Sequence, residues 1–168
     1  MMQVTSAEVS VAEPDGHGGA DRLYLDDLHV GQRFTSGVHA LDTAQIKAFA
    51  GQFDPQPFHL DEEAARGTLF AGLVASGWHT AAITMRLLVE GGAPIAGGVI
   101  GAGGEISWPG PTRAGDILRV ESEVLEVRPS RSRPDRGTVT LRSETRNQRD
   151  EIVQVLTAKL VVPRRRHG

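Results

Sequence analysis

The spacing of apolar residues first predicts a strand followed by a helix. Residues 32–41 read as the strand, and Asp42 or Thr43 would cap the helix that follows. The helix pattern i, i+3, i+4, i+7 is met by Ile46, Phe49, Ala50 and Phe53. We expect this helix to end at the Asp54-Pro55 step, because proline disfavours helical backbone in the residue before it.

The next stretch, residues 54–59, contains Pro55 and Pro57. We expect a stiff loop here, which would hold side chains in a fixed relation at little cost in conformational entropy. Residues 61–65 predict a short helical turn whose acidic residues lie at its N-terminal end, where the helix dipole favours them. Gly67 is expected to end that turn.

The longest helix is predicted over residues 77–90, with Ser76 as its N-cap and Gly91-Gly92 as its end. Its apolar residues cover most of the circumference, so we expect the helix to be buried. The stripe expected to face the core consists of Trp78, Ala81, Ala82, Met85 and Leu88, widened by Ile83 and Leu87.

The second half of the chain predicts four strands, over residues 99–108, 117–127, 138–146 and 152–162. The apolar phase of the second strand switches between Val120 and Leu125, which indicates a bulge. One face of the third strand carries Val139, Leu141, Ser143 and Thr145. Short connections favour an antiparallel sheet, so we predict an α+β fold in which that sheet wraps around the one long apolar helix.

The length of 168 residues favours a single domain. We expect residues 1–20 to be a leader outside the fold, residues 21–163 to form the domain, and residues 164–168 to be a solvated basic tail. The stretch 69–89 is long enough to span a membrane, but it contains His79 and Arg86, which are costly in hydrocarbon. We therefore expect no membrane span.

Charge and cysteine content narrow the function classes. Lysine and arginine number 18 against 21 acidic residues, a net charge of −3, which argues against nucleic acid as the main partner. The chain has no cysteine, so disulfides, thiolate metal sites and cysteine nucleophiles are excluded. The N-terminus lacks the pattern of a signal peptide, and we expect a cytoplasmic protein.

Two polar stretches carry candidate chemistry. Asp54 and His59 would form an acid/base pair. Ser76 and Gly77 open the long helix, where the Gly77 N–H would stabilise an oxyanion and Ser76 would contact substrate. Each residue also has a plainer interpretation: a turn-forming Asp54, a structural His59, a helix-capping Ser76 and a Gly77 required for packing.

Some residues permit other interpretations. Asp54, His59, Asp61 and His79 together are compatible with a metal site, but their spacing matches no helix-borne ligand pair and we expect no metal. Trp108 would either line a substrate channel or pack in the core, and packing is favoured. The basic residues considered for phosphate contact, by charge alone, are Arg86, Arg113 and Arg119.

A resemblance to a known family emerges from one motif, formed by Phe49 or Phe53, Asp54, Gln56, Pro57, His59 and Asp61. With Ser76-Gly77 at a helix start and the later sequence Ala-Gly-Asp-Ile-Leu at residues 114–118, it resembles the MaoC-like dehydratases, which include the (R)-specific enoyl-CoA hydratases. The resemblance covers about residues 23–162. Two departures are Gln56, where the family commonly has Asn, and Ser76, where it commonly has His.

The resemblance implies a hot-dog fold, dimerisation through the sheets with a dimer of dimers possible, and a site shared by Asp54, His59 and the helix start at Gly77. It implies a hydratase or dehydratase of 2-enoyl or 3-hydroxyacyl thioesters, with no cofactor other than coenzyme A as part of the acyl-CoA substrate. Two alternatives stay open: a hot-dog acyl-CoA thioesterase, and a non-catalytic subunit that binds acyl thioesters.

Overall fold

The computed structural model of the protein describes residues 22–165, so the predicted leader, residues 1–20, lies outside it. The helices are α1 (Thr43–Phe53), α2 (Pro57–Leu60), α3 (Glu62–Arg66) and α4 (Gly77–Leu87), and the strands are β1 (Arg33–Ala40), β2 (Ile100–Ser107), β3 (Ile117–Pro129), β4 (Arg136–Arg146) and β5 (Ile152–Pro163). A short 3₁₀ turn, Leu25–Asp27, precedes β1.

The five strands form one antiparallel sheet in the order β1-β3-β4-β5-β2. The pairing of β3 with β4 shifts register between Val124 and Glu126, which confirms the predicted bulge. Helix α4 contacts β1, β3 and β5. An antiparallel sheet packed around one central helix is the hot-dog arrangement, and the expected α+β class is confirmed.

The main core lies between this sheet and α4. Its helical contribution comes from Ile83 and Leu87, with Leu88 just beyond the helix. The strands contribute Leu118, Val120, Val124, Val139, Leu141, Val153 and Leu160. On β4, the four residues predicted to share a face are all buried. Burial of each large aliphatic side chain is worth about 1.5–3 kcal/mol, so this layer fixes α4 against the sheet.

The face of α4 that is buried differs from the predicted one. Trp78 and Met85 were expected in the core, yet they are 59% and 41% exposed. The buried residues of α4 are His79, Thr80, Ile83, Thr84 and Leu87, so the prediction is confirmed for Ile83 and Leu87. It was wrong for Trp78 and Met85, because the buried face is rotated about the helix axis.

Hydrogen bonds explain why polar residues occupy the buried face. The Thr84 hydroxyl donates to the Thr80 carbonyl at 2.9 Å and lies 2.6 Å from the Thr145 hydroxyl. The Thr80 hydroxyl donates to that of Thr112 at 3.0 Å. Burying a hydroxyl that has a hydrogen-bond partner costs little free energy. Hydrophobic periodicity treats threonine as polar and therefore does not predict that these positions are buried.

Both ends of α4 agree with the sequence. The Ser76 hydroxyl accepts a hydrogen bond from the Trp78 N–H at 3.2 Å, so Ser76 is the N-cap. At the other end the chain makes a π-helical turn, Leu88–Gly92, and leaves the helical conformation at Gly91. The connection to β2 begins there.

The C-terminal basic residues are partly held by ion pairs. Arg164 pairs with Asp26 at 2.6 Å, and Arg165 pairs with Asp27 at 2.9 Å, both on the 3₁₀ turn. The first two residues of the predicted tail are thus attached to the domain. Within residues 22–165, no helix has the length and apolar character needed to cross a membrane.

Candidate active site

The segment between α1 and α3 brings the predicted acid/base pair together. Asp54 is the C-cap of α1, and its N–H donates to the Ala50 carbonyl at 3.0 Å. Residues 54–59 are not wholly a loop as expected, because Pro57 begins the short helix α2 and His59 lies on it. Proline suits the first helical position, where no N–H is needed.

His59 is buried and its ring is held in one orientation. Its Nδ1 lies 2.7 Å from the Val74 carbonyl oxygen, which can only accept a hydrogen bond. Nδ1 therefore carries a proton, and Nε2 is directed to Asp54 Oδ2 at 3.2 Å. The Val74 carbonyl thus holds the ring in the orientation that presents Nε2 to Asp54.

The carboxylate of Asp54 accepts hydrogen bonds at both oxygens. Ser76 Oγ donates to Oδ2 at 2.6 Å, and Gln56 Nε2 donates to Oδ1 at 2.7 Å. Burial acts to raise the pKa of Asp54, but the hydrogen bonds from Ser76 and Gln56, with the nearby His59 ring, outweigh it and hold the pKa below its usual value. Asp54 is therefore ionised at neutral pH.

Asp54 and His59 open onto a cavity of about 550 Å³ that also reaches Gly77. Gly77 is the first residue of α4, and none of the described residues accepts a hydrogen bond from its N–H. Such an amide at the positive end of a helix is suited to binding an anionic oxygen. The cavity thus combines a titratable pair with an unused backbone donor.

Trp108 explains why residue 77 is a glycine. A Cβ atom built at Gly77 would lie 2.7 Å from Trp108 Cε2, closer than such atoms approach in proteins. The indole N–H donates to Gln154 Oε1 at 3.0 Å, which fixes the orientation of the ring. Trp108 was expected to pack, and it packs on Gly77 while also lining the cavity.

A second cavity of about 360 Å³ adjoins the first and has an almost wholly apolar lining, including Met85, Leu88, Ile106 and Leu156. Trp78 borders both cavities, and its ring meets that of Trp108 edge-on, with centroids 5.4 Å apart. The exposed aromatic residue of α4 therefore lies between the cavity that contains Asp54 and His59 and a more apolar one.

Of the four site residues named from the sequence, three line the first cavity: Asp54, His59 and Gly77. Ser76 does not line it and is wholly buried. Its hydroxyl proton is donated to Asp54, and the N-cap role favoured by the sequence is confirmed. Sequence reasoning missed the roles of the Val74 carbonyl and of Gln154, because a backbone carbonyl and a lone glutamine carry no sequence signal.

The four residues considered for a metal site do not come together as one group. Asp61 caps α3 by accepting from the Ala64 N–H at 2.7 Å. His79 stacks on Phe49 at 4.6 Å between ring centroids. Within residues 22–165 no group of three or more metal-ligating side chains is found.

The three arginines considered for phosphate contact differ in their partners and in whether they line the first cavity. Arg86 pairs with Glu90, and Arg119 pairs with Asp150 and Glu121. Arg113 lines the first cavity and donates to the Phe70 carbonyl at 2.6 Å. Arg113 is therefore the one of the three that shares a cavity with Asp54 and His59.

Comparison with known proteins shows which family the chain belongs to. A family model described as MaoC like domain matches residues 28–147. The chain belongs to this family. A crystal structure of a MaoC-like dehydratase from Rhodospirillum rubrum is 66% identical and superposes with a TM-score of 0.85, covering 86% of this chain and 99% of that one.

Two curated relatives extend the comparison. The uncharacterized protein YdeM of Bacillus subtilis is 36% identical over 143 residues, which is 83% of this chain and 97% of YdeM. A 3-hydroxybutyryl-CoA dehydratase of Methylorubrum extorquens is 32% identical over 114 residues, 66% of this chain and 69% of that protein. This MaoC-like chain thus has relatives among the dehydratases, and the recognition made from its motif is confirmed.

Proposed function

We propose that this MaoC-like protein is a lyase that hydrates 2-enoyl-CoA thioesters and catalyses the reverse dehydration of 3-hydroxyacyl-CoA. The observation that carries the proposal is the pairing of Asp54 Oδ2 with His59 Nε2 at 3.2 Å, in a cavity that also contains Gly77. The similarity to a 3-hydroxybutyryl-CoA dehydratase supports the same reaction class.

In this mechanism Asp54 and His59 hold one water molecule. As the water oxygen bonds to C3 of the enoyl group, its proton passes to the pair, and the double-bond electrons shift towards the thioester oxygen. The pair then returns a proton to C2, and the carbonyl is restored. One water is added across the double bond, and the pair ends in its starting protonation state.

The enolate that forms between these steps needs a donor for its oxygen. The Gly77 N–H supplies this donor in our proposal, because it lies at the positive end of α4 and borders the same cavity. Catalysis requires no cofactor other than the coenzyme A of the substrate.

The carrier group is proposed to be coenzyme A, with Arg113 at the cavity as the candidate for contact with its phosphates. We propose that the protein is cytoplasmic, where acyl-CoA substrates occur. We expect the Arg113→Gln variant to raise KM for an enoyl-CoA more than it lowers kcat, since Arg113 would bind the carrier and not the reacting atoms.

We also propose that the protein forms a homodimer. Strand β2 ends the sheet, so one of its edges has unpaired backbone groups. Ile100 on this strand is exposed. The apolar cavity beside the strand is lined in part by Trp78 and Met85, which are also exposed. A second copy of the chain would cover this apolar surface.

The mass in solution, measured by light scattering after size-exclusion chromatography, tests the dimer and would also reveal a dimer of dimers. We expect Met85→Glu to shift the mass to that of one chain. Leu125→Glu is the matched control, because Leu125 is 42% exposed on β3 and does not border this cavity. A wild-type protein that elutes as a monomer would contradict the proposal.

The activity is tested by the loss of enoyl-thioester absorbance with crotonyl-CoA and longer or branched 2-enoyl-CoAs. Wild type should consume the band, while Asp54→Asn and His59→Gln should lower the rate by about 10²–10⁴-fold. Release of free thiol from saturated acyl-CoA would instead indicate a thioesterase. A folded protein that binds enoyl-CoA and converts none of it would indicate a binding subunit.

A further inference from the structure

The Ser76 hydroxyl joins the first turn of α4 to the acid/base pair. Ser76 is wholly buried, and its Oγ accepts a hydrogen bond from the Trp78 N–H at 3.2 Å. Its single proton is donated to Asp54 Oδ2 at 2.6 Å. Residues 22 positions apart in the chain are thus linked by a short hydrogen bond to a charged oxygen.

We propose that Ser76 is the positioning residue of the acid/base pair, which holds Asp54 ionised and directs its Oδ2 towards His59. This inference rests on the proposed hydratase function, because it assigns Ser76 a role in the same site. It replaces the direct substrate contact suggested by the sequence. Ser76 acts through Asp54 and touches no reacting atom.

The geometry supports a positioning role because Asp54 Oδ2 has two neighbours. Ser76 Oγ lies at 2.6 Å and His59 Nε2 at 3.2 Å from the same oxygen. Gln56 binds the other oxygen, so the plane of the carboxylate is fixed by two donors from different segments. Rotation of the Asp54 side chain would break both hydrogen bonds.

The hydrogen bonds around Ser76 form a chain from the helix to the carboxylate. The Trp78 N–H points at Ser76 Oγ, and this polarises the hydroxyl that donates to Asp54. The positive end of α4 therefore favours the charged form of Asp54 through one side chain. The Gly77 N–H is not used in this chain and remains available to the thioester.

Few other charged groups bear on Asp54. His59 on α2 is the ionisable group in contact with it. Arg113, from the connection before β3, lines the same cavity and carries a guanidinium group. Gln56 and Ser76 are neutral. A change in the titration of Asp54 on removal of Ser76 can therefore be assigned to the lost hydrogen bond.

The test is the pH dependence of kcat in Ser76→Ala, with Ser76→Thr as the conservative variant. Catalysis needs ionised Asp54, so activity falls as pH drops through its pKa. Loss of one hydrogen bond to a charged group should move this acidic limb upwards by about one pH unit. In Ser76→Thr the acidic limb of the kcat profile should return to its wild-type pH. KM should change less than kcat in both variants.

A second measurement is independent of catalysis. The Asp54 carboxyl carbon can be titrated by NMR in the ¹³C-labelled protein, and its midpoint should rise in Ser76→Ala. If that variant does not fold, Ser76→Gly replaces it, since glycine is a tolerated N-cap without a hydroxyl. If wild type converts no enoyl-CoA, the proposed function fails, yet the NMR titration still decides the role of Ser76.

The control for simple loss of a helix cap is Asp42→Ala. Asp42 caps α1 by accepting from the Gln45 N–H at 2.8 Å and does not border the cavity. This variant should lose stability and keep the wild-type pH profile. The proposal is overturned if Ser76→Ala lowers kcat equally at every pH and leaves the titration of Asp54 unchanged.

Discussion

The indole N–H of Trp108 donates a hydrogen bond to the side-chain oxygen of Gln154, which is wholly buried. The amide of Gln154 donates in turn to the Thr84 hydroxyl at 3.0 Å. The wall of the cavity that Asp54 and His59 line is thereby connected to the polar core between α4 and β5.

Trp108→Phe should destabilise the protein although it keeps an aromatic ring. The change leaves the Gln154 oxygen buried without a donor, which costs about 1–3 kcal/mol in the free energy of unfolding. Urea unfolding measures this cost. The control is Val30→Ala, which alters an exposed side chain and should change stability by less than about 0.5 kcal/mol. Equal stabilities of the two variants would contradict the role of Gln154.

Gly77→Ala should displace the Trp108 ring, since the added Cβ would lie 2.7 Å from it. Overpacking of this kind costs about 1–3 kcal/mol, and we expect lower stability with a changed tryptophan fluorescence. Gly51→Ala is the control, because a Cβ there meets nothing within 4 Å and Gly51 lies inside α1. That variant should gain about 0.5–1 kcal/mol. Wild-type fluorescence in Gly77→Ala would show that the ring had not moved.

Thr84→Val should destabilise α4 against the sheet. The substitution removes a hydroxyl that is hydrogen-bonded to Gln154, Thr145 and the Thr80 carbonyl. Valine has nearly the same volume, so the expected loss of about 1–3 kcal/mol reflects unpaired polar groups and not a cavity. Thr84→Ser keeps the hydroxyl and should lie closer to wild type in thermal unfolding. A valine variant more stable than the serine variant would refute this account.

Asp54 should stabilise the folded protein at neutral pH and lose this effect in acid. Its pKa is lowered on folding, so its contribution is present above the pKa of an unfolded aspartate and disappears as pH falls through the folded value. The stability difference between wild type and Asp54→Asn should therefore shrink when urea unfolding is compared at pH 7 and below about pH 4. A difference that is constant across this range would rule the linkage out.

Much of the fold was predictable from local patterns. Strict alternation fixed the buried face of β4, because residues two apart in a strand must share a face. The switch of apolar phase located the bulge of β3, and Asp42, Ser76 and Gly67 marked helix ends. The motif around Asp54 and His59 identified the family and the cavity that both residues line.

The tertiary structure alone decided which face of α4 is buried and what Ser76 does. Hydrophobic periodicity predicted that Trp78 and Met85 lie in the core. The residues buried there include Thr80 and Thr84, whose hydroxyls are hydrogen-bonded. The hydrogen bonds from Ser76 to Asp54 and from Trp108 to Gln154 join residues 22 and 46 positions apart. A sequence pattern reports preferences within a few turns of the chain, and a bond between distant segments depends on how the sheet and helices pack.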